Sequence, residues 1–243
     1  MKRILIVAAG FFLLAGCGNK TFVYKPSVLA SDTSKLPVKI AVLPFADGTE
    51  NFTRRGGLVS REVHKVNLAK SAGGDMINGL PPEYWSKALA DEMAASGRFE
   101  AVRFLYNRLE LTDEDFFMDG TLEKAYLDFG TSGEPHEFGM ALRATRRTDT
   151  QKVWEKNFRT VSKNSTGIAD RCQTKQCQID VYHDVVNRAM RELFAEAGAD
   201  LVRALEPLLE TSAGSSENPG DDSPTVPSAE SVDKMIEDIL KGK

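Results

Sequence analysis

The stretch Val38-Lys-Ile-Ala-Val-Leu-Pro-Phe45 constrains the fold more than any other part of the chain. It is apolar or β-branched at nearly every position, so a strand built from it has no face suited to water. Such a strand needs cover on both sides, which puts it inside a sheet with at least one further layer packed on it. Pro44 has no N–H to give a neighbouring strand and marks where the ladder stops.

The sequence after it supplies those layers. Pro81 and Pro82 open a helix, because the first helical turn has no use for the N–H groups they lack. Tyr84, Trp85, Ala88, Leu89, Met93 and Ala94 share one face of it over residues 82–96, and Gly97 ends it. Phe99 to Tyr106 alternates as a strand. Phe116–Phe129, Phe138–Ala144 and Lys152–Val161 follow, with turn-forming segments at 130–135 and 148–151, and predict a meander of three antiparallel strands. Tyr182, Val185, Val186, Ala189, Met190, Leu193, Ala197, Leu201, Leu205 and Leu208 then hold a 3.6-residue period. They predict a helix over 181–210 with Asp180 as N-cap. The expected fold class is α+β: a body over 38–211 with a mixed β-sheet of about five strands, packed by two main helices. Residues 46–80 read as a loop, long for a compact domain and broken by Gly56-Gly57 and Gly73-Gly74.

The two ends differ in kind from the body. Residues 1–17 read MKRILIVAAGFFLLAGC. Lys2 and Arg3 precede an apolar run from Ile4 to Ala15, too short for the ~20 residues that cross a bilayer core. The segment therefore reads as a secretory signal. Its end, Leu14-Ala15-Gly16-Cys17, resembles the lipobox of bacterial lipoproteins. That resemblance implies a signal peptide over 1–16, cleavage before Cys17, and acylation of Cys17 by diacylglycerol and palmitate-type chains. Several acyl chains hold a protein stably where a single chain is marginal. Gly18, in place of Asp, implies the periplasmic face of the outer membrane. Residues 17–37 read as a tether interrupted by Pro26 and Pro37, with Phe22-Val23-Tyr24 as an alternative edge strand. At the other end, 212–227 is rich in Ser, Gly, Pro and Asp and reads as a flexible linker. Over 228–241 a helical period returns, with Val232, Met235, Ile236, Ile239 and Leu240 on one face. Thirteen or so residues make a marginal helix alone in water, so this face either docks on the chain's own body, stays undocked, or binds a partner, for which the candidate is a periplasmic or outer-membrane protein.

Charge and chemistry narrow the function by exclusion. The 243 residues carry a net charge of −4, and losing Lys2 and Arg3 with the signal makes the mature chain more acidic. No concentrated positive field exists for nucleic acid. His64, His136 and His183 lie far apart, and no spacing suits a metal site. There is no nucleophile elbow, P-loop or dinucleotide fingerprint. No cofactor and no enzymatic activity are expected. Asp113, Glu114, Asp115 and Asp119 form the densest acidic cluster and read as a solvated turn. Arg54, Arg55, Arg61, Lys65 and Lys70 make the 46–80 segment basic, which would suit either an anionic envelope surface or plain solvation. Cys172 and Cys177 bracket four residues, and after export a disulfide between them is the default.

Four motifs then bring a family group into view. They are Lys39-Ile-Ala-Val-Leu-Pro-Phe45, Ser96-Gly97-Arg-Phe99-Glu-Ala-Val102, Phe117-Met-Asp-Gly120-Thr-Leu122, and Thr150 to Phe158 around Val153-Trp154. Together they resemble periplasmic and outer-membrane lipoproteins of the curli-secretion-pore and penicillin-binding-protein-activator types. The auxiliary lipoproteins of envelope transport systems and the amino-terminal domain of the Tol-system β-propeller protein share that α/β fold. The resemblance spans about residues 38–162 and implies a fold with no catalytic residue. The expected function is a non-enzymatic, lipid-anchored accessory component of an envelope assembly or transport machine. The alternative is a subunit of an oligomeric outer-membrane secretion channel, which would make the chain a homo-oligomer.

The anchor is directly testable. Cys17→Ala is expected to leave the precursor uncleaved and to abolish incorporation of radioactive palmitate. Equal labelling of parent and variant would remove the lipoprotein reading.

Overall fold

The computed structural model describes residues 21–27, 35–56, 65–71, 79–128, 134–162 and 172–214. Val38 to Val42 does sit inside a sheet. Strand β1 (Leu36–Val42) runs parallel to β5 (Phe99–Phe104) on one side and to β6 (Phe116–Asp128) on the other. Helix α1 (Pro82–Ala95) connects the β1 side of the sheet to β5. It begins on Pro81-Pro82 and ends at Gly97, whose φ of 65° is the left-handed conformation that a side chain would disfavour.

Strand β6 is the axis of the sheet. Along one edge it pairs with β1, then with β2 (Ala46–Asp47), then with β4 (Lys65–Asn67), which in turn pairs with β3 (Arg54–Arg55). Along its other edge it pairs with β7 (His136–Arg146), and β7 pairs with β8 (Lys152–Ser162), both antiparallel. The meander is therefore present and the sheet is mixed and open. The long segment after β1 is not the plain loop that the sequence suggested. Among its described residues it adds three strands of two or three residues each, giving eight strands among the described residues instead of about five. Elements so short leave no alternating pattern to read.

The last helix, α2 (Lys175–Gly214), also departs from expectation at both ends. Its first turn is held by Thr174, whose hydroxyl accepts the Cys177 N–H at 3.2 Å, so Thr174 and not Asp180 stands at the start. It continues through Pro207. Residues up to Glu206 belong to one compact unit, and Pro207–Lys243 forms a second. The expected linker over 212–227 begins too early, because α2 still holds residues 212–214; the rest of it and the amphipathic face Val232, Met235, Ile236, Ile239 and Leu240 lie outside the described residues, as does Cys17.

In the first unit the helices cover one face of the sheet. Phe138, Met140, Leu142 and Ala144 of β7 are buried, as are Trp85, Leu89 and Met93 of α1 and Met190, Leu193, Phe194 and Leu201 of α2. The Trp85 ring lies 5.9 Å from that of Phe138 and 6.3 Å from that of Phe194. The opposite face carries a small apolar cluster, Ala41, Leu43, Leu105 and Phe117, closed by Leu111 from the β5–β6 connection. Elsewhere that face carries charged side chains, among them Asp119, Glu137, Arg143 and Arg159.

At Gly120, opposite Leu142, β6 and β7 leave no room for a side chain. A Cβ there would stand 2.4 Å from the Ala141 carbonyl oxygen and 2.8 Å from Leu142 Cδ2. Gly120→Ala is expected to destabilise the body by about 1–3 kcal/mol, the usual cost of overpacking. Denaturant unfolding of the purified body measures it, and an unchanged midpoint would mean that the two strands can part at no cost.

Candidate functional site

The region that relates the body to its amino terminus is built by α1 and α2. Residues 21–27 are neither a free tether nor an edge strand. They form an extended strap laid across the two helices, with alternate side chains turned inward. Phe22 and Tyr24 are buried, while Val23 between them is 63% exposed. The Phe22 ring stands edge-on to Tyr84 at 5.8 Å and to His183 at 5.3 Å, and Tyr24 stands edge-on to Phe194 at 5.5 Å.

Side chains of the helices serve the strap's backbone where a neighbouring strand would. The Tyr24 N–H donates to the Tyr84 hydroxyl at 2.7 Å, and the Lys25 N–H donates to Asn187 Oδ1 at 3.0 Å. The Ser27 N–H donates to Glu92 Oε2 at 2.8 Å, and the Tyr24 hydroxyl donates to the same oxygen at 2.7 Å. The Tyr84 hydroxyl is 3.4 Å from the Phe22 carbonyl oxygen. Glu92 is only 3% exposed. A buried carboxylate is costly unless donors surround it, and two of its donors come from the strap. Burial, and then the hydrogen bond and charge of Glu92, push the Tyr24 hydroxyl far above its ordinary range, so it stays a donor.

Glu92 and Asn187 were not singled out by sequence reasoning, and Tyr84 was read only as part of the apolar face of α1. One signal was present: Glu92 interrupts the apolar stripe of α1 between Leu89 and Met93. A charged residue on a core face asks for a partner. Beside the strap lies an open cleft of about 500 Å³, lined by Thr21, Val23, Lys25, Asp180, Asp184 and Asn187. The disulfide joins Cys172 to Cys177 across the start of α2, with Cα atoms 5.3 Å apart.

The acidic cluster is taken up by cations. Lys39 Nζ is 2.7 Å from Asp113 Oδ2, and the Lys39 N–H donates to Asp115. Glu114 is buried and pairs with the Arg103 guanidinium. Asp119 accepts from Arg143 at 2.9 Å through both oxygens and from Arg108 at 3.0 Å. The basic segment is matched in the same way: Arg55 pairs with Glu50, Lys70 with Asp47, and Lys65 with Glu137. Arg61 and His64 lie outside the described residues. His136 is buried, accepts the Asp128 N–H on Nδ1, and has its pKa lowered by that burial. Among the described residues no group of three or more His, Cys, Asp and Glu is placed to hold a metal ion, and no helix is long and apolar enough to cross a membrane.

No family model and no curated protein matches the sequence. Solved structures do resemble the fold. A Xanthomonas campestris protein of the DUF330 family superposes with a TM-score of 0.48 at 11% identity, over 78% of this chain and 96% of that one. The PelC dodecamer from Paraburkholderia phytofirmans gives 0.37 at 15% identity, over 66% and 94%. A lipoprotein from Neisseria meningitidis gives 0.30 at 9%, over 63% and 97%. At these scores the likenesses do not say what this chain binds or does.

Among the described residues Glu137 is a carboxylate with three cationic partners, Lys65 at 3.2 Å, Lys124 at 2.9 Å and Arg159 at 2.9 Å. Burial alone would raise its pKa. The hydrogen bonds from Lys124 and Lys65 outweigh that and bring it down to about 2. A carboxylate whose pKa falls on folding stabilises the fold above its unfolded pKa. That contribution is lost as pH drops from about 4.5 towards 2. Between pH 6 and pH 3 the body is expected to lose more stability than Glu137→Gln does, with the wild-type advantage shrinking on the acid side. Parallel pH-dependence in the two proteins would mean that this group contributes nothing.

Proposed function

We propose that the protein is a lipid-anchored envelope protein without enzymatic activity, held by Cys17 at the periplasmic face of the bacterial outer membrane. There it serves as a partner-binding accessory component of an envelope assembly or transport machine. One observation carries this reading. The Leu14-Ala15-Gly16-Cys17 motif stands immediately upstream of a segment that is clamped to the folded body, with only three residues between Cys17 and Thr21. An anchor and a built receiving site for the chain that follows it are two parts of one arrangement.

A binding role is favoured over catalysis by the fate of the charged side chains. Most of the acids and bases that stood out in the sequence, among them Asp113, Glu114, Asp119, Arg55, Lys65 and Lys70, are engaged in ion pairs across strands and turns, as scaffold ion pairs are. No cofactor is called for. The resemblance of the strand and helix motifs to curli-secretion-pore-type and penicillin-binding-protein-activator-type lipoproteins points the same way. The partner contact is assigned to the 228–241 segment, through Val232, Met235, Ile236, Ile239 and Leu240, because five apolar residues on one helical face need something to cover them.

A second reading, a subunit of an oligomeric secretion channel, is favoured by one feature. Leu109 is 96% exposed and Tyr106 63% exposed, both in the segment that follows the edge strand β5. Chemical crosslinking of detergent-extracted protein separates the two: a ladder of multimers supports the channel subunit, and a monomer the accessory protein.

Because α2 runs to Gly214, the informative truncation begins at residue 215. Removing 215–243 from the acylated chain is expected to leave the melting temperature of the body unchanged and to abolish co-purification of its envelope partner. A large fall in melting temperature would instead make the tail part of the body's own core. Retention of the partner would move the contact elsewhere.

A further inference from the structure

We infer that residues 22–27 set the orientation of the body on the membrane, holding the start of α2 and the cleft beside it against the phospholipid headgroups. The inference rests on acylation of Cys17. Four residue steps separate Cys17 from Thr21, and four extended steps span at most about 14 Å. Without the clamp, the chain would first be fixed at Leu36, where β1 begins. Nineteen steps then allow about 65 Å, enough for the body to tumble freely.

The shorter figure leaves little room. The headgroup region occupies roughly 5–8 Å on each side of the hydrocarbon core, taken from the difference between its thickness with and without headgroups. Starting from an acylated Cys17 at the edge of the core, less than one helix diameter of about 10–12 Å remains. The surface around Thr21 therefore has to lie on the headgroups or just above them.

The chemistry of that surface suits a zwitterionic headgroup. Thr21, Lys25, Asp180 and Asp184 are exposed around the cleft. They offer an ammonium for a lipid phosphate and carboxylates for a lipid amine, with no excess of positive charge to select anionic lipid. Val23 projects from the strap, exposed and apolar. On the far side of the sheet, Leu109 belongs to the turn that follows Leu105 and precedes Leu111, which cover the face without helices. Asp184 and Leu109 therefore report on opposite sides of the same body.

The test uses the full mature chain, acylated and reconstituted into phosphatidylethanolamine–phosphatidylcholine vesicles carrying a headgroup-linked quencher. Asp184→Cys and Leu109→Cys each supply a labelling site for one fluorophore. Quenching is expected to be several-fold stronger at 184 than at 109. Adding Phe22→Ala and Tyr24→Ala, which frees the strap, is expected to bring 184 down to the level of 109. Equal quenching at both positions in the parent overturns the inference, as it would if a protein partner covered this face. Persistence of strong quenching at 184 after release also overturns it. If the released variant does not fold by circular dichroism, the comparison of 184 with 109 in the parent decides alone. Palmitate labelling distinguishes the two levels of failure. A chain that takes no acyl group fails at the anchor, while an acylated chain with equal quenching keeps its anchor and loses the oriented face.

Discussion

The indole of Trp85 joins every layer of the body. Its ring meets Phe138 of β7 and Phe194 of α2, and its Nε1 donates to the Leu80 carbonyl at 3.2 Å, just before α1 begins. Burying an aromatic ring of this size is a large contribution to the core, and the edge-to-face contact with Phe194 adds to it. The hydrogen bond at its rim also fixes where α1 starts. That start matters beyond the core. Tyr84, the preceding residue, points to the outside of the same turn and receives the strap. The packing that builds the core thereby also sets the position of the segment that leads to Cys17.

Covering the sheet on one side only leaves a second face that must be made compatible with water. The solution is electrostatic. Asp119 sits between Arg108 and Arg143, and Glu137 is ringed by Lys65, Lys124 and Arg159. Such pairs at partly exposed sites add little stability each. They do give the outer face a fixed pattern that a slipped register would break, since β6, β7 and β8 each contribute to it. The open edge at β8 carries Lys152, Glu155, Lys156 and Arg159, charges of the kind that discourage pairing with another chain.

The sequence made the large elements legible for physical reasons. Val38 to Val42 is apolar on both faces, Phe138 to Ala144 alternates without a break, and the α2 stripe keeps its period over many turns. The last two patterns are long enough to exclude other periods, and the first is a short apolar run closed by Pro44. The strands β2, β3 and β4 were not legible, because two or three residues cannot display a period at all. Thr174 was passed over as the α2 cap because the apolar period starts only at Tyr182, and the first turns of α2 have no core face. The strap was half legible. Phe22-Val23-Tyr24 shows the alternation of a strand, yet its partners are side chains of two helices, 60 to 162 residues away in the chain. Nothing local to the segment announces such partners.

The strap's own energetics explain why a buried carboxylate is used to hold it. Burying Phe22 and Tyr24 contributes roughly 1.5–3 kcal/mol each. Five hydrogen bonds add about 1 kcal/mol apiece. Against this, ordering six residues of backbone costs about 1–2 kcal/mol per residue. The two sides nearly cancel, so contacts of this kind alone would leave the strap fraying from one end. Glu92 changes the shape of that balance. Its oxygen accepts from both Tyr24 and Ser27, so partial release leaves a buried carboxylate short of donors, at a cost of about 1–3 kcal/mol or more. Intermediate states are thereby penalised, and the strap is held or released as a unit. A segment that behaves this way can fix the direction of an anchor, where a merely sticky one would only shorten it.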